Sequence, residues 1–180
     1  MRGCTIAAVQ DTVSRETKES IGARCGEKYF NAGLLLIDLN KWRSIDTEWA
    51  CLDFIARHQG SVTHHDQGVL NGLFHQDVSI LPLKYNVMTI HYIMSRARIL
   101  KYFREESPFY SEEEIAQAKA HPVVLHYTPS FTSRPWVRTC HHPLKKLYWG
   151  AVEKTPWAGT QAIKDTSKWY VRPVSYTHLR

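Results

Sequence analysis

The sequence contains no long apolar run, no block of like charges and no closely spaced pair of cysteines. No stretch approaches the roughly 18 consecutive apolar residues of a membrane-spanning helix, and the first residues lack the apolar core of a signal peptide. The 23 Lys and Arg residues are scattered, which argues against nucleic acid as a partner. The four cysteines show no C-x-x-C spacing, so free thiols in a reducing compartment are expected.

What the chain does contain is enough apolar material for a folded domain. Hydrophobic residues make up 43% of its 180 residues, which is too apolar for intrinsic disorder and sufficient for one core. The formal net charge of +6 suits an anionic substrate or an anionic membrane face.

Apolar runs alternate with segments of helical period, and this alternation predicts an α/β fold. Strands are predicted at 5–9, 29–39, 78–81 and 123–127. The second of these runs is almost continuously apolar, which is typical of a strand covered on both faces. Helices are predicted at 40–58, 66–74, 111–119 and 142–152.

Local signals support two of the predicted helices. Ser111 and Glu114 have the spacing of a capping box at the start of the third helix. Pro143 suits the first position of the fourth helix. The final segment, 172–180, shows no period and is expected to be disordered or non-native.

The motif Asn31-Ala32-Gly33 interrupts the apolar strand. A glycine inside a strand often marks a bulge or a place where a ligand approaches the backbone. The Asn side chain offers donors and acceptors that suit sugar hydroxyls. From these residues alone, a sugar-binding strand and a bulge with a self-satisfied Asn are both open interpretations.

The segment His64-His65-Asp66-Gln67 precedes an apolar helix. Such a polar quartet is typical of a helix N-terminus, with Asp66 as the cap. Adjacent histidines in an extended chain point to opposite faces, which makes them a poor metal site. A capping Asp beside solvated histidines is one interpretation of this segment, and a chemically active loop is the other.

The stretch 123–136, VVLHYTPSFTSRPW, ends a predicted strand with His126. Ligands of α/β proteins bind at the carboxyl ends of parallel strands, and the guanidinium of Arg134 has the fork that binds phosphate. A strand-end His with a surface Arg is the alternative. Because this motif and the previous two fall near strand–helix junctions, we expect all three along one edge of one sheet.

Four segments, taken in order, resemble glycosyltransferase family 8: YFNAGLLLIDLNKWR, HHDQGVLNGLF, LPLKYN, and HYTPSFTSRPW followed by HHPLKKLYW. The resemblance covers residues 5–157. It implies a GT-A fold, which is an α/β fold of Rossmann type. It also implies transfer of glucose or galactose, with retention, from a UDP-sugar to a saccharide acceptor such as lipopolysaccharide or a glycolipid, with Mn²⁺ or another divalent metal as cofactor.

The resemblance implies roles for the residues around the donor sugar. Asn31, Ala32 and Gly33 would line the sugar. Asp66 would bind sugar hydroxyls, and Gln67 would lie near the reacting face of the anomeric carbon. Asp66 and Gln67 are therefore the expected catalytic residues.

For the diphosphate side, the resemblance implies that His126 is a metal ligand and that Arg134 replaces the usual Lys beside the diphosphate. The loop from His126 to Trp136 is two residues longer than the family motif H-x-x-G-x-x-K-P-W, and Pro129 stands in place of its Gly. The sequence also has no D-x-D, which in the family precedes the strand matched by 5–9 and shares the metal.

We therefore expect residues 1–157 to be the C-terminal part of one GT-A domain, 158–180 to be a tail, and the chain alone to have little transferase activity. A non-catalytic carbohydrate- or nucleotide-binding module is the alternative function. The expected location is the cytoplasm, with peripheral contact at the inner membrane face. Residues suited to that contact are Lys145, Lys146, Tyr148, Trp149 and Trp157, unless their helix packs its Leu and aromatic face on the core.

Overall fold

The computed structural model describes residues 3–24, 26–106 and 108–164. The chain divides into two compact units, Met1–His126 and Tyr127–Arg180, which we call the first unit and the second unit. Within the described ranges, no helix is both long enough and apolar enough to cross a membrane.

Strands and helices alternate in the first unit, as the α/β prediction requires. Its strands are β1 (Ile6–Asp11), β2 (Tyr29–Ile37), β3 (Val78–Ile80), β4 (Val87–Met88) and β5 (Leu125–His126). Its helices are α1 (Arg15–Ser20), α2 (Leu39–Ser44), α3 (Thr47–Arg57), α4 (Asp66–Phe74), α5 (Ile90–Ile93), α6 (Arg96–Phe103) and α7 (Glu112–Ala120). The second unit contains α8 (Lys145–Val152) and an isolated parallel bridge between Val137 and Ile163.

Strand β1 is the centre of a three-stranded mixed sheet. It pairs antiparallel with β2 and parallel with β3. Residues Ile6 to Val9 of β1 are fully buried, because both edges and both faces of this strand are covered. Its last residue, Asp11, therefore lies where a buried strand leaves the core.

The pairing of β1 with β2 contains a large bulge. Ala8 pairs with Leu35 and Gln10 pairs with Phe30, so residues 31–34 of β2 lie opposite a single residue of β1. The Asn-Ala-Gly motif falls in this interval and leaves the hydrogen-bonded ladder. The bulge predicted for the motif is therefore confirmed.

Two apolar clusters form the core on opposite faces of β2. Tyr29 and Phe30 are both fully buried and belong to different clusters, because successive strand residues point to opposite faces. Val69 joins the Tyr29 cluster and Phe74 joins the Phe30 cluster. Helix α4 therefore packs against both clusters, which fixes its N-terminus near the bulge.

The glycines of α4 allow this helix to pack closely against its neighbours. A Cβ atom on Gly72 would lie 2.2 Å from the Phe54 ring of α3, and one on Gly68 would lie 2.0 Å from the backbone oxygen of Thr63. No larger side chain fits at either position without displacement of its neighbour.

Two predicted helices differ from the structure. The helix predicted at 40–58 is two helices, because Asp46 adopts a left-handed conformation with a φ of 47° between α2 and α3. The helix predicted at 142–152 begins at Lys145, so Pro143 precedes the helix and does not occupy its first position. The capping box of α7 is confirmed, since Ser111 and Glu114 bond each other's backbone N–H groups.

The predicted strands lie in the expected places but differ in length and cover. Strand β5 comprises two residues of the run predicted at 123–127. Strand β2 is covered on both faces only in its first part, because Leu36 is 52% exposed. The segment 172–180 falls outside the described residues.

Candidate active site

Strands β4 and β5 form a separate two-stranded parallel sheet, with Met88 opposite His126. The parallel strand predicted at His126 is thus confirmed. The expectation that the three motifs share one edge of one sheet is wrong, because Asn31 belongs to the three-stranded sheet. The motifs meet because the bulge carries the Asn-Ala-Gly segment out of its ladder and toward His126.

Asn31 is the hub of the polar network in this region. Its Nδ2 donates to Asp11 Oδ2 at 2.9 Å and to Gln67 Oε1 at 3.0 Å. Its Oδ1 accepts from the Gly33 backbone N–H at 2.9 Å and from Asn86 Nδ2 at 2.8 Å. Both hydrogens and both lone pairs of this buried amide are therefore used.

Asp11 supplies the negative end of the network. Its Oδ2 accepts from Asn31 Nδ2 and from Gln67 Nε2, the latter at 3.2 Å, and its Oδ1 accepts from the Thr12 N–H at 2.8 Å. Burial raises the pKa of the Asp11 carboxyl, although the hydrogen bonds from Asn31, Thr12 and Gln67 oppose the shift. The carboxylate thus presents acceptors to three N–H donors.

Gln67 is held at both ends of its amide. Its Oε1 accepts from Asn31 Nδ2 and from the Ala32 backbone N–H at 3.1 Å, while its Nε2 donates to Asp11. The Ala32 N–H can only donate and an ionised Asp11 can only accept, so the orientation of the amide is unambiguous. Gln67 is therefore a preorganised group at the N-terminus of α4.

The loop before Gln67 has an unusual backbone. His64 and His65 have φ values of 61° and 53°, a region that non-glycine residues rarely occupy. His65 takes the N-cap position of α4 and makes no side-chain cap, so the prediction that Asp66 caps this helix is wrong. Asp66 is the first residue of the helix and is exposed.

Asn71 ties α4 to the strand at the base of the bulge. Its Oδ1 accepts from the Phe30 N–H and its Nδ2 donates to the Phe30 carbonyl, both at 2.8 Å. The same Nδ2 donates to the Gln67 carbonyl at 2.8 Å. One fully buried side chain therefore sets the position of Gln67 relative to β2.

His126 reaches the network through Asn86. Its Nδ1 lies 3.0 Å from Asn86 Oδ1, and Asn86 Nδ2 donates to Asn31. The His126 ring packs against Gly33, where a Cβ atom would lie 2.3 Å from Cε1 and 2.6 Å from Nδ1. The close approach expected at Gly33 is thus made by the ring of His126.

Arg134 lies in the second unit. Its side chain is exposed, with the guanidinium carbon 5.5 Å from the centre of the Trp136 ring, and its carbonyl accepts from the Val137 N–H. This arrangement gives Arg134 a cation–π contact within its own loop.

The described residues supply one candidate metal ligand from the sequence prediction, which is His126. Within the same ranges, no three His, Cys, Asp or Glu side chains converge in a way that could hold a metal ion. A hard divalent ion needs several oxygen ligands, so the described part of this chain does not form a complete metal centre by itself.

Two members of the network are absent from the residues predicted to be functional. Asp11 follows a buried strand, and a carboxylate at such a strand end is a signal that could have identified it. Asn86 ends the segment LPLKYN, where nothing in the local pattern distinguishes it from a turn residue. Its role depends on contacts with residues 55 and 40 positions away in the chain.

Comparisons with known proteins identify the family to which the chain is similar. The model of the family described as Glycosyl transferase family 8 matches residues 1–140. General stress protein A of Bacillus subtilis (strain 168) is 26% identical over 165 residues, covering 89% of this chain and 54% of the relative. Lipopolysaccharide 1,2-glucosyltransferase of Escherichia coli (strain K12) is 26% identical over 160 residues, covering 87% of this chain and 44% of the relative.

A solved structure gives the same result in three dimensions. The galactosyltransferase LgtC, in complex with donor and acceptor sugar analogs, matches with a TM-score of 0.65 and 26% identity. The match covers 86% of this chain and 53% of LgtC. The chain thus spans about half the length of the relatives it matches.

Proposed function

Because the chain belongs to glycosyl transferase family 8, we propose that it carries part of the active site of a retaining hexosyltransferase. The reaction moves glucose or galactose from a UDP-sugar to a saccharide acceptor, such as lipopolysaccharide, another glycan or a glycolipid. Two relatives named as a glucosyltransferase and a galactosyltransferase support a hexose donor. The fold is α/β, of the GT-A type seen in LgtC.

The observation that carries the proposal is the continuous hydrogen-bond network from Asp11 to His126. Five side chains from separate segments are joined by hydrogen bonds of 2.8–3.2 Å. Preorganised dipoles of this kind stabilise charge as it develops during bond breaking, because they need no reorganisation at that moment. Asn31 and Asn86 are buried, whereas Asp11, Gln67 and His126 are only partly buried, so the network extends from the core toward the surface.

Donor-sugar binding is assigned to the residues at the bulge and at the start of α4. The exposed Asp66 carboxylate would accept hydrogen bonds from sugar hydroxyls, while the fixed amide of Gln67 would lie beside the anomeric carbon. Asn31 holds Gln67 in place, and the backbone at Ala32 and Gly33 forms the wall of the sugar site. Gln67 and Asp66 are the proposed catalytic residues.

For the diphosphate side, we assign His126 of the first unit as one ligand of Mn²⁺ or another divalent ion. The role of Arg134 as a phosphate-binding cation stays a prediction for the second unit by itself. A divalent ion at the diphosphate would neutralise the charge of the leaving UDP. Since the described residues do not complete a metal centre, the remaining ligands would come from protein outside them. Metal affinity of the 180-residue chain is therefore expected to be weak.

The truncation expected from the missing D-x-D leads to a direct experiment. We compare the 180-residue chain with the longest reading frame that contains it, measuring donor hydrolysis and transfer from UDP-glucose and UDP-galactose with Mn²⁺. The proposal predicts turnover of one donor by the longer protein and little by the chain alone. Absence of turnover with both donors in the longer protein would refute the function, and robust turnover by the chain alone would refute the truncation.

The proposed location is the cytoplasm, with peripheral contact at the inner membrane face. Leu147 and Trp157 are 60% and 70% exposed, which supports a contact surface on the second unit. Sedimentation with anionic and neutral vesicles at matched salt tests this, because the proposal requires binding to the anionic vesicles only.

A further inference from the structure

We propose that Asn86 is a positioning residue that holds His126 as the tautomer with its proton on Nδ1. The tautomer follows from the directions of the hydrogen bonds between the bulge and β5. Only its consequence for catalysis rests on the proposed function.

Contacts on both sides of the Asn31 amide fix its orientation. The Gly33 backbone N–H can only donate, and it lies 2.9 Å from Asn31 Oδ1. On the other side of the amide, the Asp11 carboxylate accepts from Nδ2 at 2.9 Å. Reversal of Asn31 would place an NH₂ group against an N–H and an oxygen against a carboxylate, so only one orientation is consistent.

Asn31 in turn fixes the orientation of the Asn86 amide. Asn86 is fully buried, and its Nδ2 donates to Asn31 Oδ1 at 2.8 Å. Reversal of this amide would bring two amide oxygens to hydrogen-bond distance with no hydrogen between them. Asn86 therefore presents its Oδ1 to the ring of His126.

The chemistry of the two facing atoms of Asn86 and His126 determines the tautomer. Asn86 Oδ1 is 3.0 Å from His126 Nδ1, and an amide oxygen can only accept. The proton must therefore be on Nδ1, and a neutral ring then carries its lone pair on Nε2.

Gly33 allows the His126 ring to lie where it can form its hydrogen bond with Asn86. Its missing Cβ leaves the space that the Cε1 and Nδ1 atoms of His126 occupy. The ring is thus bounded by the bulge on one side and hydrogen-bonded by Asn86 on the other. In the proposed enzyme, Nε2 would be the ring nitrogen that carries the lone pair for a divalent ion, and Asn86 would orient the ring from behind, as partners of ligating histidines generally do.

The tautomer can be measured without substrate, metal or turnover. The full 180-residue chain is labelled with ¹⁵N at histidine, and long-range ¹H–¹⁵N correlations are recorded near pH 8, where imidazoles with an ordinary pKa of about 6.5 are neutral. We expect a protonated Nδ1 and an unprotonated Nε2 at His126. His58 serves as an internal reference, because its Nδ1 faces the Phe54 carbonyl at 2.8 Å and must carry a proton as well.

The variant Asn86→Leu removes the acceptor, and Asn40→Leu on the exposed face of α2 is its matched control. In Asn86→Leu the His126 signals should move toward the Nε2–H form, whereas His58 should not change in either variant. If Asn86→Leu does not fold, the wild-type spectrum alone decides the question. An Nε2–H tautomer in wild type, or an unchanged Nδ1–H tautomer in folded Asn86→Leu, would overturn the proposal.

The result separates this inference from the proposed function. If His126 has the Nδ1–H tautomer but the longer protein transfers no hexose, the inference stands and the proposed function is rejected. If the longer protein transfers hexose but His126 has the Nε2–H tautomer, the proposed function stands and the inference is rejected.

Discussion

A Cβ atom at position 33 would lie 2.3 Å from Cε1 of His126, so the absence of a side chain at Gly33 is what allows this ring to approach the bulge. The relationship joins two motifs that are far apart in the sequence. It also gives the glycine of the Asn-Ala-Gly segment a physical role that does not depend on a bound ligand.

The variant Gly33→Ala should displace His126. The new methyl group would overlap the ring, and such overpacking lowers the free energy of unfolding by about 1–3 kcal/mol. Urea denaturation measures this loss. Gly150→Ala is the control, since a Cβ atom there meets nothing within 4 Å and helix α8 gains from alanine. Equal stability of Gly33→Ala and wild type would contradict the packing described.

The variant Asn71→Leu should destabilise the first unit strongly. It leaves the buried N–H and carbonyl of Phe30 without their side-chain partner, and each such loss costs about 1–3 kcal/mol. The urea midpoint should fall accordingly, whereas Asn40→Leu on α2 should leave it nearly unchanged. A wild-type midpoint in Asn71→Leu would show that Asn71 does not anchor α4.

The variant Asp11→Asn should lower turnover more than stability. Asparagine cannot accept from all three N–H donors that Asp11 faces, so the Gln67 amide loses its fixed orientation. Relief of the desolvated charge, which raises the pKa of Asp11, offsets part of the lost bonding. We expect kcat of the longer protein to fall about 10-fold or more, equivalent to ~1.4 kcal/mol. The control Asp53→Asn changes a carboxylate on α3 that pairs with Arg57 of the same helix, and it should retain wild-type kcat. A wild-type kcat in Asp11→Asn would show that Asp11 does not belong to the site.

His91 should make stability depend on pH in the acidic range. The side chain is buried, and among the described residues neither ring nitrogen has a hydrogen-bond partner. Burial, with a smaller effect from Lys119, lowers the pKa of His91 from 6.5 to about 4. Below pH 6.5 the unfolded chain binds a proton that the folded chain does not, so the free energy of unfolding falls as pH falls from 6.5 to 4, and above 6.5 this contribution is constant.

The variant His91→Phe tests that contribution. It keeps a ring against Phe109, whose centre is 6.0 Å from that of His91, and removes the titrating group. As pH falls from 6.5 to 4, the free energy of unfolding of the wild type should decrease by up to about 1.4 kcal/mol more per pH unit than that of the variant. Parallel stability curves for the two proteins would show that His91 is not buried as a neutral ring.

The elements that sequence patterns predict best are those with local causes. Helix α4 occupies the predicted range, and α7 has the predicted capping box, because period and caps are encoded within one segment. The break at Asp46 escapes prediction, since a left-handed residue in an amphipathic segment leaves the apolar period intact.

The residues of the candidate site also divide into those that have a local sequence signal and those that do not. Asn31, Gln67 and His126 stand out as polar residues beside apolar runs, and the structure brings these three into one network. Asp11 and Asn86 acquire their roles only through long-range contacts, which no local pattern contains. The expectation that the motifs lie along one edge of one sheet is wrong, because the bulge in β2 brings them together and not the strand ends of a common sheet.

The most direct measurement of the central claim is turnover of UDP-glucose or UDP-galactose by the longest reading frame containing the chain, as wild type and as Gln67→Ala. Gln117→Ala on exposed α7 is the matched control. The kcat of Gln67→Ala should be at least about 100-fold lower than that of wild type, because a preorganised group at the reacting carbon is lost, and the control should keep a wild-type kcat. A wild-type kcat for Gln67→Ala would contradict the assignment of this network as the active site.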